Sequence, residues 1–247
     1  MSTPQRKLFV FGVGRSGTTA LVHVLNSHPQ VCVGMERYKY PFTREKVIDP
    51  EFFSFERFFD FRETDTNLLP TNDTTAKRLY REMRPRYQDA AIVGDKVPHL
   101  LHLIRPLHKA FADSSFIYLL RDASEVASSW HARATNPTDR WPAQNDFRKA
   151  VEVWNNMNRG ALDLVNEGLP VLILNYNSFF WGDEGDRLLA FLHLEQHGAY
   201  QDGYGKASAQ FLSGRTRKAP PVVSGQREHV GRNADFSTYE QLLKLSE

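Results

Sequence analysis

Residues 7 to 19 read Lys-Leu-Phe-Val-Phe-Gly-Val-Gly-Arg-Ser-Gly-Thr-Thr, and no other stretch of the chain constrains the fold as much. The apolar run Leu8 to Phe11 predicts a buried strand. It breaks at Gly12, passes Gly14 and Gly17, and enters a helical pattern at Thr18. A strand, a glycine-rich turn and a helix N-terminus in succession make an anion cradle. The first N–H groups of a helix have no intrahelical partner, and its dipole favours negative charge there. Gly12 and Gly17 fit the phosphate-loop frame G-x-x-x-x-G-K-[ST], but Thr18 occupies the lysine position. The cation lies inside the loop instead, at Arg15. The frame suits a 5′-phosphate and departs from that of an ordinary ATPase or kinase.

Further strand-like runs follow at Val31 to Val33, Ala91 to Val93, Phe116 to Leu120 and Val171 to Leu174. Helical patterns lie over 18–26, 99–112, 124–133, 146–166 and 185–194. This alternation predicts an α/β fold, a single P-loop-like domain over 1–247. Its centre is a parallel sheet of about five strands with helices on both faces. Two stretches interrupt the pattern, 37–90 and 134–145. Long connections of this kind often carry substrate-binding loops, so both are expected to bind the acceptor. The first holds Phe52, Phe53, Phe55, Phe58, Phe59 and Phe61, which suit either a pocket wall or a helix packed on the core.

The formal net charge is only +2, which speaks against nucleic acid as the main partner. A single cysteine, Cys32, excludes an internal disulfide and reads as a buried small residue. No segment reaches the ~20 apolar residues that span a bilayer, and the N-terminus does not read as a signal peptide. The first strand begins within a few residues of Met1, so a cytoplasmic protein is expected. No His, Cys, Asp or Glu spacing predicts a metal site.

In an open parallel sheet, ligands bind beyond the carboxyl ends of the strands. The five predicted ends carry Arg15, Glu36, Lys96, Arg121 and Tyr176. Three cations, a carboxylate and an aromatic on one edge suit an adenine nucleotide and a reacting hydroxyl. Glu36 is the one carboxylate among them, a group able to take a hydroxyl's proton. His23, His99 and His102 fall in helical patterns and read as surface or packing residues. Phe116 to Trp130 predicts a strand running into a capped helix.

The run Gly12 to Thr19 followed by Leu25-Asn26-Ser27-His28-Pro29 resembles the sulfotransferases that use 3′-phosphoadenylyl sulfate (PAPS). The tyrosylprotein and carbohydrate branches look most similar. The resemblance implies that Gly14, Arg15, Ser16, Gly17, Thr18 and Thr19 cradle the 5′-phosphosulfate. It implies that Arg121 and Ser129 hold the 3′-phosphate, with Ser128 a nearby competitor. Glu36 lies 21 positions after Arg15, where the tyrosylprotein branch has its base. Met35 and Tyr38 depart from that branch's second Glu and its acceptor-contacting Arg. Lys96, in Gly94-Asp95-Lys96-Val97-Pro98, is similar to the lysine that neutralises the bridging oxygen. Tyr176 stands near the adenine end, although Asn177 replaces the usual Glu. Gln226 to Arg232 is similar to the basic loop over the 3′-phosphate, with Arg227 or Arg232 as its contact and Asn233 in place of the usual Trp. The implied product is adenosine 3′,5′-bisphosphate, the implied acceptor a hydroxyl on a sugar, lipid, phenol or small metabolite, and no metal is implied. The alternative is a phosphotransferase using ATP and magnesium.

Overall fold

The computed structural model describes residues 5–182, 184–214 and 225–247. Five strands are described: β1 (Arg6–Gly12), β2 (Val31–Met35), β3 (Ile92–Lys96), β4 (Ser114–Leu120) and β5 (Val171–Asn175). They form one parallel sheet in the order β2-β3-β1-β4-β5. Alternate residues of a strand point to opposite faces. Every residue from Leu8 to Gly12, and all of β2 and β3, is buried, so the sheet is covered on both sides.

The covering helices are α1 (Thr18–Leu25), α2 (Phe55–Phe58), α3 (Thr74–Met83), α4 (Ile104–Ala110), α5 (Ala123–Ala134) and α6 (Phe147–Asn166). They continue with α7 (Tyr176–Trp181), α8 (Gly185–Phe191), α9 (Gly198–Gly214), α10 (Gln226–Asn233) and α11 (Phe236–Leu245). Asp122 caps α5 and Asp146 caps α6, each accepting two amides of the first turn. The fourth helix starts later than its sequence pattern predicts. Residues 101–103 form a 3-10 turn, and Pro106 falls in the first turn of α4, where its missing N–H costs no bond. No helix among the described residues is long and apolar enough to cross a membrane.

The aromatic stretch of the first long connection belongs to the core. Phe52, Phe53 and Phe58 are buried, and Phe55, Phe59 and Phe61 pack against them. Tyr38 stacks on Phe52 at 4.3 Å, and Phe58 lies 4.6 Å from the Tyr87 ring. A wholly buried arginine, Arg37, sits among these rings and pairs with Asp65 at 2.6 Å. Cys32 is likewise buried, and burial pushes its thiol up to about 11.

The strand order reverses direction around β1: the chain passes from β1 to β2 on one side and later crosses to β4 on the other. Ligands bind at such switch points, beyond the strand ends. Gly12, Met35, Lys96, Leu120 and Asn175 end their strands at that edge.

Candidate active site

A cavity of about 1190 Å³ opens at this edge. That exceeds the roughly 300–1,000 Å³ of a site for one small ligand. Arg15, Glu36, Lys96, Arg121 and Tyr176 all line it, as the strand-end rule requires.

The loop after β1 supplies the floor. Gly17 precedes α1 with φ +100, and no side chain caps the helix. Only glycine meets this backbone without strain, and a Cβ there would lie 2.2 Å from Cε2 of Tyr176. The first turn of α1 has no side-chain cap, and Gly17, Thr18 and Thr19 line the cavity, so the unpaired amides of a helix start lie at its wall. Ser16 sits deeper than its motif position predicts. Its N–H donates to the Val13 carbonyl at 3.0 Å, and its buried hydroxyl lies under the loop with no partner among the described residues. The Gly14 carbonyl accepts from Trp130 Nε1 at 2.7 Å, which ties the loop to α5.

Arg15 joins the two motifs that the sequence separates. Its Nε donates to Ser129 Oγ at 3.3 Å, and its carbonyl accepts from Arg121 Nη1 at 2.9 Å. Arg121 also pairs with Glu125 at 2.8 Å and lies 4.1 Å over the Tyr176 ring. Ser128 is occupied elsewhere: it accepts from the Gln226 side-chain amide at 2.7 Å. Burial, then the neighbouring guanidinium groups of Arg133 and Arg121, hold Arg15 below the ordinary arginine value. Cations crowded against each other in this way make a site for an anion of more than one charge.

Lys96 comes from the end of β3 and its side chain is 1% exposed. Its Nζ donates to Glu36 Oε1 at 3.0 Å and to Thr19 Oγ1 at 3.4 Å. The cation missing from the loop's lysine position is thus delivered by the neighbouring strand. Glu36 Oε2 meets Lys39 Nζ at 3.0 Å, a residue that sequence reasoning missed. Burial raises the Glu36 carboxyl's pKa, but Lys96 and then Lys39 outweigh it, and the group titrates below the usual Glu range. Arg37 takes no part, because its guanidinium is directed into the core.

Two histidines also line the cavity, His23 on α1 and His99 in the turn after β3. Burial holds both below the ordinary histidine value. From 134–145, Arg140 and Trp141 reach the cavity, and Trp141 packs edge-on against Trp130 at 5.0 Å. Thr43, Asn67 and Arg78 reach it from 37–90. No local signal marks these residues, because tertiary packing turns them toward the site. Arg227 and Arg232 do not line the cavity. Arg232 is 76% exposed and pairs with Glu228 at 2.7 Å, one turn earlier on α10. Tyr38 is wholly buried and does not line the cavity.

Solved structures of similar fold include the sulfotransferase domain from the curacin biosynthetic pathway, at 17% identity. That match covers 94% of this chain and 98% of that one with a TM-score of 0.53. Sulfotransferase STF1 from Mycobacterium tuberculosis H37Rv matches at 15% identity, covering 94% and 77%, with a TM-score of 0.52. Sulfotransferase STF9 from Mycobacterium avium matches at 12% identity, covering 98% and 76%, with a TM-score of 0.51. No curated relative matches in sequence. A model of the sulfotransferase family matches residues 7–178, which take in the loop, Glu36, Lys96, Arg121, Ser129 and Tyr176, and the chain belongs to that family.

Proposed function

We propose that this sulfotransferase moves a sulfuryl group from PAPS to an acceptor hydroxyl, with Glu36 as general base. The main support is one piece of geometry: Lys96 Nζ bridges the start of α1, through Thr19, and the Glu36 carboxylate. A proton acceptor and an anion cradle therefore share a single buried cation.

The residues fit the donor. Arg15 and the amides of Gly17, Thr18 and Thr19 hold its 5′ side, and Gly14 leaves the loop open beside them. Arg121 and Ser129 hold the 3′-phosphate, with Tyr176 toward the adenine. Such a donor supplies a sulfuryl group on a phosphate that leaves as adenosine 3′,5′-bisphosphate. Lys96, whose side chain is 1% exposed, counters the charge growing at the leaving oxygen, an effect that is large where water is kept out. Glu36 takes the acceptor's proton. The acceptor enters beside Lys39, Asn67 and Arg78, a polar wall that suits a hydroxyl-rich molecule such as a sugar or small metabolite.

Thermal unfolding with adenosine 3′,5′-bisphosphate, and separately with ATP and magnesium, tests this. Ligand at 100 times its Kd adds about 2.7 kcal/mol, a rise of roughly 5–10 °C for a domain of this size. The bisphosphate alone is expected to give that rise. A rise only with ATP and magnesium overturns the proposal in favour of a phosphotransferase. Arg121→Ala is expected to weaken bisphosphate binding roughly 10–150-fold, the ~1.5–3 kcal/mol of a charge-assisted hydrogen bond, read by calorimetry. Its kcat at saturating donor should stay within tenfold of wild type.

A further inference from the structure

We propose that Asp95 is a positioning residue: its buried carboxylate grips the two backbone amides after Glu36 and so holds Glu36 in the conformation that faces Lys96. This rests on the reading of Glu36 as the base.

Glu36 has φ +54. The left-handed region costs a residue with a Cβ roughly 1–2 kcal/mol, so something must hold it there. Two consecutive residues of β3 do so. The Glu36 N–H donates to the Lys96 carbonyl at 2.8 Å. The Arg37 N–H donates to Asp95 Oδ1 at 2.9 Å, and the Tyr38 N–H to Asp95 Oδ2 at 2.8 Å. Three amides in a row are thereby fixed. Successive side chains of a strand leave opposite faces. Asp95 therefore holds the turn by its backbone while Lys96 holds the Glu36 carboxylate.

Among the described residues, no ion pair accounts for a carboxylate at this point. Asp95 is wholly buried, and burying such a group is costly unless it is fully bonded. The nearby cations are engaged elsewhere: Arg37 pairs with Asp65, and Lys96 with Glu36. Burial pushes the Asp95 carboxyl up to about 7, against the pull of the two amides, Lys96 and Arg37. The fold also makes room for it. A Cβ on Gly34 would stand 3.0 Å from Asp95 Oδ1, so a larger residue there would press on the carboxylate.

The test is Asp95→Asn, which turns an NH2 group against one of the two amides. A misplacement of about 1 Å at a reacting group can cost roughly 100-fold. The expected result is a kcat lowered roughly 10–100-fold, with donor KM and bisphosphate Kd within twofold of wild type. In a Glu36→Gln background the same change should cost no further activity, because the group being positioned is gone. Should Asp95→Asn not fold, Asp95→Ser removes both bonds without opposing an amide and carries the same expectations. An unchanged kcat overturns the proposal. So does a loss of donor affinity in parallel with kcat, or an added loss in the Glu36→Gln background. If Glu36→Gln itself stays active, the base is misassigned. If Glu36→Gln is inactive and Asp95→Asn is not, only the positioning role falls.

Discussion

Glu36→Gln is expected to lower kcat by roughly 10²–10⁴-fold, the usual contribution of a general base, without weakening adenosine 3′,5′-bisphosphate binding. Glutamine keeps the size of the side chain and a hydrogen bond to Lys96, but cannot take a proton. Lys96 is nearly inaccessible and paired with Glu36. Neutralising that partner frees its charge for an anion in the cradle, so bisphosphate affinity should hold or rise. The pH profile gives a second check. A base must be deprotonated to act, so the rate falls as pH drops through its pKa. Burial alone would raise the Glu36 value, yet Lys96 and Lys39 bring it below the ordinary carboxyl range in the free protein. The part of the acid limb of kcat/KM that belongs to Glu36 should therefore lie below about pH 4.3, beneath an earlier, partial loss as Asp95, whose carboxyl burial pushes up to about 7, takes its proton. On the proposed role of Lys96 at the donor, Glu36 loses part of that support when the donor is bound. The acid limb of kcat should then lie higher than that of kcat/KM. Near-wild-type turnover in the glutamine variant would move the role of base to His23 or His99, which line the same cavity.

Asp65→Asn is expected to cost stability rather than chemistry, by about 3–5 kcal/mol, the loss when one partner of a buried ion pair is removed. For a domain of this size that lowers Tm by roughly 6–20 °C. The Arg37 side chain is wholly buried and donates to the carbonyls of Phe58, Arg57 and Asp60, while Asp65 supplies its counter-charge. The guanidinium also lies 4.5 Å from the Tyr38 ring and 4.4 Å from the Phe61 ring. Asp65 binds Arg57 as well, at 2.6 Å. Without the carboxylate, two guanidinium groups face each other in the core. Burial raises the Asp65 carboxyl's pKa, but the hydrogen bonds from Arg57 and Arg37 outweigh it and hold it below its usual value. A group depressed on folding stabilises above its unfolded pKa, ~3.9 for Asp, and loses that effect as pH falls through the folded value. The Tm gap between wild type and variant should be full at pH 7 and narrow in strong acid. A gap under 2 °C at pH 7 would mean that the pair carries no net stability, the outcome known for some buried pairs.

The chain's local patterns determine the frame. Apolar runs, loop glycines and capping aspartates act between near neighbours in sequence, so the five strands, α1, α5 and α6 are legible from residues alone. Parallel pairing then forces the strand ends to one edge, and with them Arg15, Glu36, Lys96, Arg121 and Tyr176. The pattern over 185–194 gives α8 (Gly185–Phe191), but α9 was not legible: it carries four glycines and lacks a clear apolar stripe. The resemblance of Gln226 to Arg232 to a basic loop brings Arg227 and Arg232 under suspicion, but α10 keeps Arg232 in solvent against Glu228. What only the tertiary structure decided is who meets whom. Asp95 reaches amides 57 and 58 positions away, and Lys96 finds Glu36 at a separation of 60. The aromatic run 52–61 becomes core because Arg37 and Tyr38 fold into it. Such pairings depend on how a long connection closes over the sheet. Burial and partner there decide whether a charge serves the core or the site, and neither is written in the residue's immediate neighbours.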